Sequence, residues 1–233
     1  LMSYRYTGTN SNPGNRILLL KGVYIPGTGK YGMEYYNQDE AFPFQGCTSI
    51  DHWGYLNNLS PSYSPLMLLP TVSVSENTNE ETITGTSRNP NPAAAISGML
   101  KTLSYPTGGW TTYEYEANSY SKKVVKDGSE QSKGIPILKS KETDTMAGGL
   151  RLKRITDYID SSTSVSKDYS YTDGAGRSSG ILYKTPRYSL SYVFEYNYPD
   201  THVQFVSIKN SNPPAYVLDN NIVGYSEVVE KYA

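Results

Sequence analysis

The run from Tyr188 to Tyr198 limits the possible folds more than any other feature. Tyr188, Leu190, Tyr192, Phe194, Tyr196 and Tyr198 take every second position, and Ser189, Ser191, Val193, Glu195 and Asn197 fill the gaps. Successive side chains of an extended strand point to opposite faces, so this alternation predicts a strand with one aromatic and one mostly polar face. That is the pattern of an antiparallel sheet covered on one side. The aromatic face is expected to form the largest continuous part of the core.

The composition extends this logic to the whole chain. Among 233 residues there are 23 Tyr against 4 Phe and 2 Trp, with 20 Gly and 14 Pro. Tyrosine suits half-buried strands, because the ring packs while the hydroxyl stays near water or a polar partner. Weaker alternation predicts further strands at Leu1 to Tyr6, Arg16 to Ile25, Tyr31 to Tyr36, Met99 to Tyr105, Trp110 to Glu116, Leu150 to Tyr158, Val165 to Tyr171, Ile181 to Lys184, His202 to Ile208 and Ile222 to Glu230. Turn chemistry separates them at Pro26-Gly27-Thr28-Gly29, Pro106-Thr107-Gly108-Gly109, Asp173-Gly174 and Asp219-Asn220-Asn221. Between Leu150 and Ile155 the alternation slips by one residue, and a β-bulge near Arg154 would repair the phase.

Two polar, aperiodic runs, 76–91 and 127–146, are read as long loops, because they carry too little apolar surface to offset the entropy of ordering. Only Pro92 to Ser97 suggests helix, of about two turns at best. The expected fold is all-β: an antiparallel β-sandwich or a long meandering antiparallel sheet built of hairpins, with long polar loops and almost no helix. Residues 1–233 form a single β-rich region, with a weak division near 76–97.

Charge is balanced, with 21 Lys and Arg against 22 Asp and Glu for a net charge of -1, and mean hydropathy is -0.54. No global field draws nucleic acid, and no apolar run suits membrane insertion. Cys47 is the single cysteine, so no intrachain disulfide forms, and it fits a cytoplasmic or an exported protein equally. The strand-like opening, without a charged and then apolar leader, reads as an internal fragment of a longer chain.

Gly98-Met99-Leu100-Lys101-Thr102-Leu103-Ser104-Tyr105-Pro106-Thr107-Gly108-Gly109-Trp110-Thr111-Thr112-Tyr113-Glu114-Tyr115-Glu116 resembles a segment upstream of the repeats in large bacterial Rhs/YD-repeat proteins. The likeness runs in order through Asp51-His52-Trp53-Gly54-Tyr55 before it. After it come Gly148-Gly149-Leu150-Arg151-Leu152-Lys153-Arg154-Ile155, Ser178-Ser179-Gly180-Ile181-Leu182 and Val223-Gly224-Tyr225-Ser226-Glu227-Val228. Tyr169 to Arg177 is similar to one YD repeat, but Asp173 comes one residue late and no tandem copies follow. The resemblance implies an exported bacterial protein, extracellular or at the cell surface. It also implies a structural or binding segment whose partners are the remainder of its own parent chain, a glycan or another surface protein.

Chemistry-bearing residues are sparse. Asp51, His52, Trp53 and Tyr55 could form a small polar site or, with Trp110, a sugar-stacking platform; the plainer reading is a loop anchor with Gly54 at a tight turn. Two histidines and one cysteine without metal-ligand spacing give no metal and no cofactor. Glu114 and Glu116 lie on one strand face, the geometry of a carboxylate-based glycosidase, yet the plainer reading is a solvated face opposite Tyr113 and Tyr115. No nucleophile motif is present, and Gly27-Thr28-Gly29-Lys30 lacks the full phosphate-loop spacing. The expected role is therefore non-catalytic, with a carbohydrate-binding module as the alternative and a glycosidase third.

Overall fold

A computed structural model describes residues 1–7, 17–40, 49–58, 70–76, 79–83, 85–126, 135–183, 188–198, 201–210 and 222–233, with backbone alone for 72–83, 126 and 188–210. The protein is nearly all antiparallel β, arranged as an open meandering sheet. Its strands are β1 (Met2–Tyr6), β2 (Leu18–Ile25), β3 (Gly29–Tyr35), β4 (Val72–Glu76), β5 (Asn79–Ile83), β6 (Leu100–Ser104), β7 (Trp110–Lys126), β8 (Pro136–Tyr158), β9 (Ser164–Ser170), β10 (Gly180–Leu182), β11 (Tyr188–Tyr198), β12 (Thr201–Asn210), β13 (Val223–Tyr225) and β14 (Val229–Tyr232). One short helix, α1 (Pro92–Ala95), precedes β6.

The main sheet has ten strands in the order β1-β2-β3-β6-β7-β8-β9-β14, with β10 joined to β7 and β13 off that path. Among the described residues only the β10–β7 contact, Ile181 opposite Lys122, is parallel. β4–β5 and β11–β12 form separate hairpins. Turn chemistry explains the tight joins: Gly27 (φ 81°) and Gly29 (φ 112°) turn β2 into β3, and Gly108 (φ 98°) turns β6 into β7.

β3 and β6 pair directly, Met33 opposite Leu103, although a long excursion separates them in sequence. Its neck is closed by Tyr36 N–H to Met99 O and Gly98 N–H to Tyr36 O, both 3.0 Å. Within the excursion lie β4, β5, residues 49–58 and α1. The helix is short, as its composition allows, with Pro92 in its first turn and the Asn91 side chain accepting from Ala93 N–H at 3.1 Å.

β7 and β8 pair from Trp110 opposite Tyr158 to Lys126 opposite Pro136. The expected bulge is present: Glu114 faces Arg154 and Tyr115 faces Leu152, so Lys153 has no cross-strand partner. A larger interruption falls between Tyr120–Thr145 and Lys122–Ser140, where residues 141–144 of β8 oppose Ser121 alone.

Two loop expectations need correction. Within 127–146, residues 136–146 belong to β8, because pairing of 136–140 and 145–146 with β7 satisfies backbone groups where the side chains could not build a core. Within 76–91, Asn79–Ile83 is a strand paired with Val72–Glu76, and Thr71 exchanges hydrogen bonds with Gly85 across its base. Residues 85–91 are irregular as expected, and 127–134 lie outside the described residues.

The aromatic run is strand β11, paired with β12, with a register shift between Tyr192 and Phe194. The burial of its side chains lies outside the described residues, as do the Asp219-Asn220-Asn221 turn and Cys47. Among the described residues the core cluster is Tyr120, Ala147, Leu182 and Val223, with Trp53, Ile222 and Tyr225 packed against it. It draws on β7, β8, β10 and β13, and on the excursion through Trp53.

Candidate functional site

Asp51 is the most buried carboxylate among the described residues, 1% exposed. One carboxylate oxygen accepts the backbone N–H of Trp53 at 2.8 Å and of Tyr55 at 3.0 Å, while Asp51 N–H donates to Tyr55 O at 2.7 Å. These bonds close a tight turn with Gly54 at φ 95°, flanked by an Ile50–Leu56 bridge. The Asp51 carbonyl accepts the buried Arg88 guanidinium at 2.6 Å, and His52 N–H returns a bond to Arg88 O at 3.0 Å.

This turn sits on two glycines of β8. A Cβ on Gly148 would lie 2.5 Å from Asp51 Oδ2 and 3.0 Å from both the Trp53 and Tyr55 rings. Gly149, at φ +76°, would bring a Cβ within 2.8 Å of the Tyr55 ring. Only glycine lets the three side chains approach so closely. Burial raises the Asp51 pKa, against the lowering effect of the Trp53, Tyr55 and Gly54 backbone bonds and of Arg88. Burial, and then Arg88, lowers that of His52.

These bonds hold the turn in place. The carboxylate is occupied by backbone donors, and His52 meets Trp53 edge-on with ring centroids 5.8 Å apart. The neighbouring crevice, lined by Pro90, Asn91, Ala117, Met146 and Ala147 among others, holds about 160 Å³ including its open mouth. Small-molecule pockets run from about 300 Å³ upward. Among the described residues no group of three His, Cys, Asp or Glu side chains could hold a metal ion.

Trp110 is elsewhere. Asn118, whose Nδ2 donates to Gly148 O at 3.0 Å, lies eight positions further along β7, so strand rise separates Trp110 from the anchor by roughly 26 Å. Trp110 instead stacks on its cross-strand partner Tyr158, centroids 4.9 Å apart and planes at 11°. Beside it, the Tyr105 hydroxyl donates to Thr111, whose hydroxyl donates to Asp157 at 2.5 Å. The structure therefore brings Asp51, His52, Trp53 and Tyr55 together and leaves Trp110 apart.

Glu116 is not on a free solvated face: its carboxylate takes Arg151 Nε at 2.7 Å. The Arg151 guanidinium lies 4.2 Å from the Tyr171 ring centroid and 4.9 Å from that of Tyr225. Tyr171 Oη donates to Leu152 O at 2.6 Å, and Tyr225 Oη to Asn118 Oδ1 at 2.9 Å. Such desolvated cation–π contacts contribute about 2 kcal/mol or more. Sequence reading missed this cluster and Arg88; the only available signal was that Arg151 and Tyr225 both stand in the ordered landmarks.

The YD-like turn is also an anchor. Asp173 Oδ1 accepts the N–H groups of Ala175 and Arg177, each at 3.0 Å. Arg177 then reaches the looped-out part of β8, donating to Asp144 Oδ1 at 2.8 Å and Lys141 O at 3.0 Å, while Ser178 N–H donates to Asp144 Oδ2 at 2.7 Å. The Ser178 bond, with Arg177, holds the Asp144 carboxyl below the usual range. Just beyond, Gly180 runs so close to Ser119 O that no side chain would fit. No helix among the described residues is long and apolar enough to cross a membrane, which leaves strand-built spans unaddressed. No family model, curated protein or solved structure matches the chain.

Proposed function

We propose that this chain is a non-catalytic scaffold segment of a large exported Rhs/YD-repeat-like protein, at the cell surface or outside it. One observation carries the reading: four of the shorter landmarks behind the resemblance, at 51–55, 148–155, 178–182 and 223–228, gather at and beside one core cluster. Trp53 and Tyr55 seat on Gly148 and Gly149, Ser178 bonds Ser119 O at 2.8 Å, and Leu182 packs with Val223. Motif residues employed in holding strands together suit a structural role, whereas catalysis calls for poised groups facing a cleft. Protease shaving of intact host cells tests the reading. Peptides of this segment released without lysis are expected, and their recovery from lysate alone would refute export.

Carbohydrate binding is the second reading. It moves from Trp53, packed on glycine, to edge strand β1, where Tyr4 and Tyr6 share a face at 52% and 61% exposure. A glycan array decides it: saturable binding to one sugar class, lost in Tyr4→Ala/Tyr6→Ala or Trp110→Ala, would replace the scaffold reading.

A further inference from the structure

The far end of the β7–β8 ribbon carries exposed aliphatic side chains close together on one strand. Ile135, Ile137 and Leu138 are 56%, 42% and 53% exposed. Register places Lys123 opposite Lys139 and Val125 opposite Ile137, which share one face. The other face holds Lys122 opposite Ser140 and Val124 opposite Leu138. Each face thus bears lysine and then, one rung nearer the ribbon end, a pair of aliphatics.

Like charges directly opposed across a ladder are destabilising. Lys122, Lys123, Lys139 and Lys141 make no ion pair with a described residue, and the nearby Asp144 is taken by Arg177. β7 lies along one edge of residues 136–140, and β9 reaches β8 only at Arg154 to Tyr158. Residues 135–140 are all exposed and no described strand lies beside the other edge of 136–140, the kind of edge that takes an added strand.

Exposed aliphatics and lysines on both faces of one open edge narrow the choice of occupant. A flat anionic surface would meet one face and leave the other uncovered, and phosphate chains have no use for Ile137 and Leu138. An added strand alternates its side chains to both faces, so it alone covers Ile137 and Leu138 together. Pro136 and Lys139 are also the residues that guard an edge against self-association, and between two copies of this chain Lys139 repels. The same repulsion turns to attraction when the incoming strand carries carboxylates.

We propose that the open edge of β8 at Ile137, Leu138, Lys139 and Ser140 takes an added strand from a polypeptide that alternates acidic and aliphatic residues. This site stands independently of the exported-scaffold reading, since it requires only the exposed edge and its charge.

The probe is a short fluorescent peptide alternating Glu and Val, with a Lys and Val peptide as its counterpart, titrated against the full chain by anisotropy. The acidic peptide is expected to bind and to slow amide exchange at 137–140, while the basic one does not bind. Lys139→Glu, an exposed change that leaves circular dichroism intact, should weaken the acidic peptide roughly threefold to tenfold and admit the basic one. Ile137→Ser with Leu138→Ser should weaken the acidic peptide as well; if that variant unfolds, the Lys139 swap decides. Absence of binding, equal binding of both peptides, binding indifferent to Lys139, or binding of anionic vesicles or nucleic acid in place of the acidic peptide would each overturn the proposal.

Discussion

At Gly148 a single hydrogen atom decides whether the excursion can seat. Gly148→Ala drives a methyl group into Asp51, Trp53 and Tyr55, and overpacking of this kind costs about 1–3 kcal/mol. Gly174→Ala meets nothing within 4 Å and should stay within about 0.5 kcal/mol, the usual range for unconstrained surface changes. Urea midpoints of the two variants check the contrast. Asp51 adds a pH signature. Because burial raises its pKa in the folded state, the stability it contributes is full in acid and is lost as pH rises through the folded pKa. Asp51→Asn keeps an acceptor for the Trp53 and Tyr55 N–H groups without the charge. Wild type should therefore gain on the Asn variant as pH falls from neutral, and a gap that widens the other way in paired denaturation curves would contradict the buried-carboxylate account.

Strands were legible in the sequence where alternation met turn chemistry. β2, β3, β6, β9 and β11 fall where period two and flanking Gly or Pro place them, and the phase slip after Leu150 pointed to the bulge at Lys153. β5 and the first half of β8 were illegible for a physical reason. Asn79-Glu80-Glu81-Thr82-Ile83 and Pro136 to Met146 carry little apolar pattern, and a neighbouring backbone supports them instead of a core. Hydrogen exchange separates the two kinds of segment. Cross-strand amides of 72–83 should exchange more slowly than those of 85–91, whereas equal rates would return the first stretch to a loop. The anchors were half legible: Asp51 to Tyr55 stood out as a cluster, and the expected tight turn at Gly54 is present. Arg88 and the Arg151 cluster depend on register and long-range approach, which local spacing does not encode.

At the scale of the molecule, the core cluster among the described residues is small. Leu182 is fully buried in the cluster that joins β7, β8, β10 and β13. Leu182→Ala should cost about 2–5 kcal/mol, a large share of the 5–15 kcal/mol of an ordinary domain. A lowered thermal midpoint with loss of near-ultraviolet dichroism is expected, and an unchanged midpoint would show that this cluster does not hold the sheet together. Tyrosine content indicated a strand-rich chain, but the position of this core follows from β10 returning to lie parallel to β7, a crossover invisible in local pattern.

The closed neck between Tyr36 and Met99 also bears on the order of folding. Since Tyr36 bonds Gly98 and Met99 across the base of the excursion, β3 and β6 can zip together without the excursion's interior being placed. The only cost is the entropy of closing one long loop, which grows slowly with its length. Closing that loop is a non-local step of the kind that slows folding, and the docking of Asp51 onto Gly148 is expected to follow it. Lesions at that seat should accelerate unfolding more than they retard folding, so this part of the chain sets how long the native state lasts rather than how fast it is reached.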